Sequence, residues 1–206
     1  MKTLVKYLNR HKHKPIKKVY NYFPSNKKEL ISIIKDRIKN EGEECDLNDI
    51  DVSKITDMSY IFNLSKFNGD ISDWNVSKVK DMECMFRLSY FNGDISNWNV
   101  SNVKNMSYMF GFSDFNGDIS NWDVSNVENM CGVFKGSKFN GDISEWNVSK
   151  VKDMERMFSH SKFDGDISNW DVSKVEHMGE MFYESPLGKT LPVWYEKSKF
   201  YKKLLK

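Results

Sequence analysis

The sequence lacks any apolar run close to the roughly 20 residues that a transmembrane helix needs. Its start, MKTLVKYLNRHKHKPIKK, has no apolar run long enough for a signal peptide and no cysteine for lipid attachment. The three cysteines show neither a CxxC pair nor the Cys/His spacing of a zinc site, so we expect reduced thiols. These absences favour a cytoplasmic or virion-associated protein over an exported one.

Motifs of catalysis and cofactor binding are also missing. The chain contains no P-loop, no GxGxxG and no HExxH sequence. None of its four histidines has a serine, cysteine or carboxylate partner at the spacing of a catalytic motif. We therefore predict a non-catalytic protein that needs no cofactor and no metal.

What the sequence does contain is one unit of 24 residues, repeated about six times in strict register. Phe67 and Trp74 recur at every 24th position. Their equivalents are Phe91, Phe115, Phe139 and Phe163, and Trp98, Trp122, Trp146, Trp170 and Trp194. No insertion breaks the register between Leu47 and Trp194. Such a period is typical of an array in which neighbouring units cover one another's apolar faces.

Two apolar spacings follow each other within one unit. Ile95, Trp98 and Val100 end in the alternation of a short strand, which predicts that Trp98 and Val100 point inward together. The next apolar residues have helical spacing and are Val103, Met106, Met109 and Phe110. Ser101 is the expected N-cap, and capping-box pairs occur as Ser125 with Glu128 and Ser173 with Glu176. The Asn-Gly of the FNGD motif predicts a tight turn with positive φ.

The unit W[ND]VSxVxxMxxMFxxSxFNGDIS resembles the repeat of BspA-like leucine-rich repeat proteins, which is also met in mycoplasma lipoproteins. The resemblance covers about Leu47 to Trp194, and residues 22–58 resemble the leader that often precedes this array. It implies a leucine-rich-repeat-like solenoid with a role in binding or adhesion at surfaces. We therefore expect an α/β solenoid of about six 24-residue strand-helix coils with a parallel sheet and an N-terminal helical cap.

Charge and capping signals divide the chain into four segments. We predict a basic extension (1–23), a capping helix (24–46), the repeat solenoid (47–194) and a basic tail (195–206). Asn26 with Glu29 forms a capping-box pattern ahead of the apolar stripe of Leu30, Ile34 and Ile38. Residues 46–186 carry 13 Lys/Arg against 23 Asp/Glu, whereas residues 1–45 carry 12 against 5 and residues 187–206 carry 6 against 1. An acidic body thus lies between basic ends.

Two sets of side chains are candidates for partner binding. The first set varies between units just after each predicted helix and comprises Leu64, Arg87, Leu88, Tyr90, Phe112, Asp114, Lys138 and His160. The second set points outward from the predicted strands and comprises Asn99, Asp123, Asn147 and Asp171. Each set has a structural alternative: loop residues free to vary for the first, and side chains that serve turns and inter-coil hydrogen bonds for the second.

One aspartate recurs per unit, as Asp70, Asp94, Asp118, Asp142 and Asp166. Stacked carboxylates repel one another, so they need solvent, backbone N–H donors or a cation. We expect these aspartates to accept backbone N–H groups in their turns, and calcium along the ladder is the alternative.

The leading functional hypothesis is a non-catalytic binding or adhesion module that meets another protein or a glycan. The alternative is a structural component of a larger assembly, such as a virion or a cell surface, that docks through the basic ends. Nucleic acid is disfavoured as the main ligand because the acidic body would repel phosphate.

Overall fold

The computed structural model describes residues 18–198. Within them lie two helices, α1 (Lys27–Glu41) and α2 (Val193–Glu196), with a short 3-10 helix at Pro186–Gly188. Most of the predicted basic extension and of the predicted basic tail lies outside the described residues. The division of the chain into four segments therefore stays a prediction, although α1 falls inside the predicted capping segment.

Helix α1 begins where the sequence predicts. The Asn26 side chain accepts a hydrogen bond from the Glu29 N–H at 3.0 Å, and Glu29 Oε2 accepts one from the Ser25 N–H at 2.8 Å. The first bond satisfies a backbone donor that the first helical turn leaves unpaired, and the second ties the residue before the N-cap to the same turn. Leu30 and Ile34 are buried and belong to the same apolar core cluster as the side chains of the repeat, so α1 covers apolar surface as expected.

The predicted strand-helix coil with a parallel sheet is wrong. In residues 47–194 of the described range, the only helices are the short ones at the C-terminal end, and the strand pairing consists of isolated parallel bridges. These bridges join equivalent positions of successive units: Asp57 to Asp81, Asp81 to Asn105, and onward through Asn129 and Asp153 to His177. The units therefore stack in the 24-residue register, but they are built from turns.

The predicted strand Ile95–Val100 consists of consecutive turns. The Trp98 N–H donates to the Ile95 carbonyl at 3.1 Å, and the Ser96 N–H donates to Asp94 Oδ1 at 2.9 Å. The Val103 N–H then donates to the Val100 carbonyl at 2.8 Å. Side chains such as Asp94 offer the backbone local acceptors that compete with regular structure.

The predicted helix Val103–Phe110 directs its backbone donors to the next unit instead. The N–H groups of Met106, Tyr108 and Phe110 donate to the carbonyls of residues 129, 131 and 133 at 3.0, 2.8 and 3.0 Å. Tyr108 has φ +52°, which a right-handed helix excludes. The predicted N-cap Ser101 donates its N–H to Asn99 Oδ1 at 3.1 Å in a turn, and no helix follows.

Burial within each unit follows the sequence closely. Trp98 and Val100 are 4% and 1% exposed, which confirms that they point inward. Equivalent rings of successive units stack nearly parallel, as in Phe62 on Phe86 with a centroid distance of 5.6 Å. The Trp98 indole N–H also donates to the Ile71 carbonyl of the preceding unit at 3.2 Å. The core is thus one continuous stack of side chains along the repeat.

The FNGD motif differs in detail from the prediction. Asn116 N–H donates to the Asn92 side-chain oxygen of the preceding unit at 2.8 Å, and Asn92 N–H donates to Asn68 in the same way. Gly93 does not have a positive φ. A Cβ atom at Gly93 would lie 2.9 Å from the Phe91 ring, so glycine is required by close packing and not by φ.

A candidate protein-binding surface

Five large apolar side chains are exposed on three successive units. Tyr60, Leu64, Leu88, Tyr90 and Phe112 are 48%, 68%, 41%, 59% and 40% exposed. We call these five residues the edge surface. They contrast with the rings of Phe62, Phe86 and Phe110 in the same units, which are at most 1% exposed.

Backbone hydrogen bonds hold three members of the edge surface in one column. Leu64, Leu88 and Phe112 occupy the same position of successive units. Their N–H groups donate to the carbonyls of residues 87, 111 and 135 at 2.9, 2.9 and 2.6 Å. The chain is therefore fixed on both sides of each residue, and the three side chains project from a rigid backbone.

This column has a left-handed backbone. The φ values are +59° at Leu64, +54° at Leu88 and +56° at Phe112. A non-glycine residue in this conformation costs on the order of 1–3 kcal/mol. Glycine occurs at the equivalent position only as Gly136, where an added Cβ atom would collide with the Phe112 ring. Leu64 and Leu88 therefore carry large apolar side chains where the backbone conformation favours glycine.

Polar contacts fix the aromatic members and their surroundings. The Lys135 ammonium lies 5.7 Å from the Phe112 ring centroid, within cation–π range. The Tyr60 hydroxyl donates to a Glu83 carboxylate oxygen, and this bond raises the pKa of Tyr60 above its ordinary value. Lys138 pairs with Asp114 at 2.7 Å.

The first predicted set of site residues is only partly brought together. Leu64, Leu88 and Phe112 form the column, and Asp114 and Lys138 form an ion pair between neighbouring units. The rest of the set comprises Arg87 and Tyr90, which flank Leu88, and His160, which lies two units beyond Phe112. The His160 Nδ1–H donates to Glu184 Oε2 at 3.0 Å.

Tyr60 was missed by the sequence reasoning because it falls inside the predicted helix. Its position varies from unit to unit, being Tyr60, Cys84, Tyr108, Gly132 and Arg156 in turn. Variation between units, the signal that pointed to the position of Leu64, could also have pointed to Tyr60. All five of these residues have positive φ, as the column does.

The second predicted set serves turns. Asn99, Asp123, Asn147 and Asp171 each accept the N–H of the serine two residues later, at 3.0–3.2 Å. The bonds from Ser125 and Ser173 lower the pKa of Asp123 and of Asp171. All four residues remain exposed on their outer side, so a binding role for this set stays a prediction.

The recurrent aspartates also lie in turns. Asp94, Asp118 and Asp142 accept the N–H groups of Ser96, Ser120 and Ser144, each at 2.9 Å. These backbone bonds lower the pKa of each carboxyl, although neighbouring carboxylates oppose the effect at Asp94 and Asp142. Asp70 and Asp94, with Glu44 and Asn68, line an open cleft of about 520 Å³. Within residues 18–198, no three potential metal-binding side chains cluster.

Comparison with known protein families places this chain in a family described as "Mycoplasma protein of unknown function, DUF285". The family model matches residues 34–138 and 111–194, and so covers most of the chain. The chain belongs to this repeat family. Searches against curated proteins and against solved structures find no match. No helix within the described range is long and apolar enough to cross a membrane.

Proposed function

We propose that this protein is a non-catalytic binding module that presents the edge surface to another protein. The observation that supports it is the column of Leu64, Leu88 and Phe112. Leu64, Leu88 and Phe112 are 68%, 41% and 40% exposed, so burial favours them only in part, and their positive φ disfavours them. Adjacent apolar groups on a rigid backbone are the property that a docking partner uses, because little ordering entropy is lost on binding.

The resemblance to BspA-like leucine-rich repeat surface proteins supports the same role. Adhesion at a surface, to a protein or a glycan, is the finer form of the proposal. Aromatic residues favour protein interfaces, since Tyr60, Tyr90 and Phe112 each offer a large contact area with few rotatable bonds.

Affinity capture from the native source tests the proposal. The baits are the wild-type chain and the triple variant Leu64→Ser/Leu88→Ser/Phe112→Ser, which removes the column. The control bait Asn97→Ser/Asn121→Ser changes exposed residues elsewhere on the units. We expect quantitative mass spectrometry to show a protein retained by the wild type and the control and depleted about tenfold or more on the triple variant. Equal capture by a folded triple variant would refute the role of the edge surface.

The structural-assembly alternative stays a prediction, since most of both basic ends lies outside the described residues. Lys18 supplies one relevant contact: its ammonium donates to the Asp73 carbonyl at 2.7 Å and pairs with the Asp73 carboxylate at 3.4 Å. Basic residues near the N-terminus can thus pair with acidic groups of the body. Light scattering at low and high salt tests the alternative, which requires salt-sensitive self-association.

A further inference from the structure

The charge around the edge surface is opposite to that of the repeat body. Residues 46–186 carry 13 Lys/Arg against 23 Asp/Glu. The positions flanking the column instead carry mainly basic residues, namely Lys66, Arg87, Lys135 and Lys138, against Asp114, which pairs with Lys138, and the nearby Glu83. Lys66 and Lys138 are exposed, and Arg87 and Lys135 are half-buried. The apolar column therefore lies within a basic border on an acidic protein.

The repeat advances by a little more than one helical turn per unit. Stacked rings of successive units have centroid distances from 5.6 Å, for Phe62 to Phe86, to 6.5 Å, for Trp98 to Trp122. An α-helix advances about 5.4 Å per turn. A helix lying along the repeat axis would thus present one apolar side chain to each of Leu64, Leu88 and Phe112.

Strand addition fits this column less well. An added strand requires free backbone donors and acceptors at the edge. The N–H groups of Leu64, Leu88 and Phe112 already donate to the following unit. Side chains must therefore supply the recognition, and a helix in a side-chain groove uses that mode.

On the basis of the proposed function, we propose that the edge surface binds an acidic amphipathic helix. Leucine-like residues at i, i+4 and i+7 of that helix pack on Leu64, Leu88 and Phe112. Acidic residues on either side of its apolar stripe meet Lys66 and Arg87 and the other members of the basic border. The apolar contacts provide most of the affinity, while the charges set orientation and exclude basic partners.

Three designed 18-residue peptides, each carrying a fluorophore, provide the probes. The first has leucines at i, i+4 and i+7, repeated along its length, and glutamates on either side of this leucine stripe. The second replaces every glutamate with lysine, and the third keeps the charges of the first but has two central prolines that prevent a helix. Fluorescence anisotropy against the full chain measures their binding at low and at moderate salt.

We expect the acidic helix to bind about tenfold or more tightly than either of the other peptides. Leu88→Ser and the pair Lys66→Gln/Arg87→Gln should each weaken it about tenfold, and only the charge pair should reduce the salt dependence. The matched control Lys78→Gln/Lys174→Gln removes two exposed charges away from the border and should change nothing.

Equal binding of the proline peptide would show that charge alone is recognised and would overturn the inference. Tighter binding of the lysine peptide, or no binding of the acidic helix, would do so as well. The two proposals fail separately. If the triple variant at Leu64, Leu88 and Phe112 loses its captured partner while the acidic helix does not bind, the proposed function stands and the inference of an acidic helix is overturned. If the folded triple variant captures the partner as well as the wild type does, the proposed function itself fails.

Discussion

The repeated tryptophan connects adjacent units through its apolar ring and through its indole N–H. The Trp122 ring stacks on Trp98 at a centroid distance of 6.5 Å, and its indole N–H donates to the Ile95 carbonyl at 3.1 Å. The apolar ring is thus buried without leaving its polar atom unpaired, which would cost free energy in a dry core. One residue per unit therefore provides both packing and register.

Replacing Trp122 with alanine tests this residue-scale role. We expect Trp122→Ala to lower the free energy of unfolding by about 3–5 kcal/mol, because a large side chain and a buried hydrogen bond are lost. Trp194→Ala is the matched control, since Trp194 is half-buried at the end of the stack, and it should cost distinctly less. Urea denaturation measures both, and equal losses would contradict the role of Trp122.

Replacing Leu88, unlike replacing Trp122, is expected to change the free energy of unfolding only slightly. Leu88→Gly removes an exposed side chain at φ +54°, so relief of left-handed strain offsets the greater entropy of glycine in the unfolded chain. The free energy of unfolding should change by less than about 1 kcal/mol. Its buried neighbour Phe86→Ala should cost about 3–5 kcal/mol in the same urea experiment. A large loss at Leu88 would show that it supports the fold.

At the scale of elements, each unit depends on turns whose acceptors are carboxylates. Hydrogen bonds from backbone N–H groups hold the pKa values of Asp94, Asp118, Asp142 and Asp166 below the ordinary value. Such groups stabilise the fold above the unfolded pKa of about 3.9, and this stabilisation is lost as the pH falls through the lower folded pKa.

The melting temperature should therefore fall as the pH drops below about 4. A variant with these four aspartates changed to asparagine keeps an oxygen acceptor in each turn and loses the titration. Differential scanning calorimetry between pH 5 and pH 3 should show a smaller drop for this variant than for the wild type. Identical drops would mean that the turn carboxylates do not couple to folding.

The same aspartates are the candidate ligands for calcium. Because Asp118 already accepts a backbone N–H from Ser120, we expect millimolar calcium to leave the melting temperature unchanged. Magnesium serves as the control for general ionic effects. A rise of several degrees with calcium that Asp118→Asn abolishes would establish the ladder as a calcium site.

At the scale of the whole molecule, the two ends of the stack are covered differently. Helix α1 covers the first unit, whereas α2 packs beside the last one through Tyr195, whose ring lies 4.9 Å from that of Phe182. The N–H groups of Arg156, Phe158 and His160 donate to carbonyls of the last unit at 2.8–2.9 Å. The equivalent N–H groups of the last unit have no acceptor within residues 18–198.

Hydrogen exchange measures this difference. The amides of Glu180, Phe182 and Glu184 should exchange on the order of 100-fold faster than their equivalents one unit earlier. Those earlier amides, of Arg156, Phe158 and His160, are protected by their hydrogen bonds to the last unit. Amides of Met106 and Phe110, in the centre of the stack, provide the protected reference. Equal protection at both positions would show that another segment covers the last unit.

The sequence by itself determined the 24-residue register, the buried positions of each unit and the cap of α1. Burial and capping depend on local chemistry, which side-chain types reveal directly. It also pointed to Leu64, Leu88 and Phe112 through their variation between units, but not to their projection from one rigid column.

Only the tertiary structure decided how each unit is built. Apolar residues three or four positions apart suit a helix and also suit successive three-residue turns, so the spacing of Val103, Met106 and Phe110 could not distinguish them. The choice depends on where the backbone N–H groups find acceptors. In this protein they find them on the next unit, 24 residues away, and in the side chains of Asp and Asn, so the chain forms stacked turns instead of strands and helices.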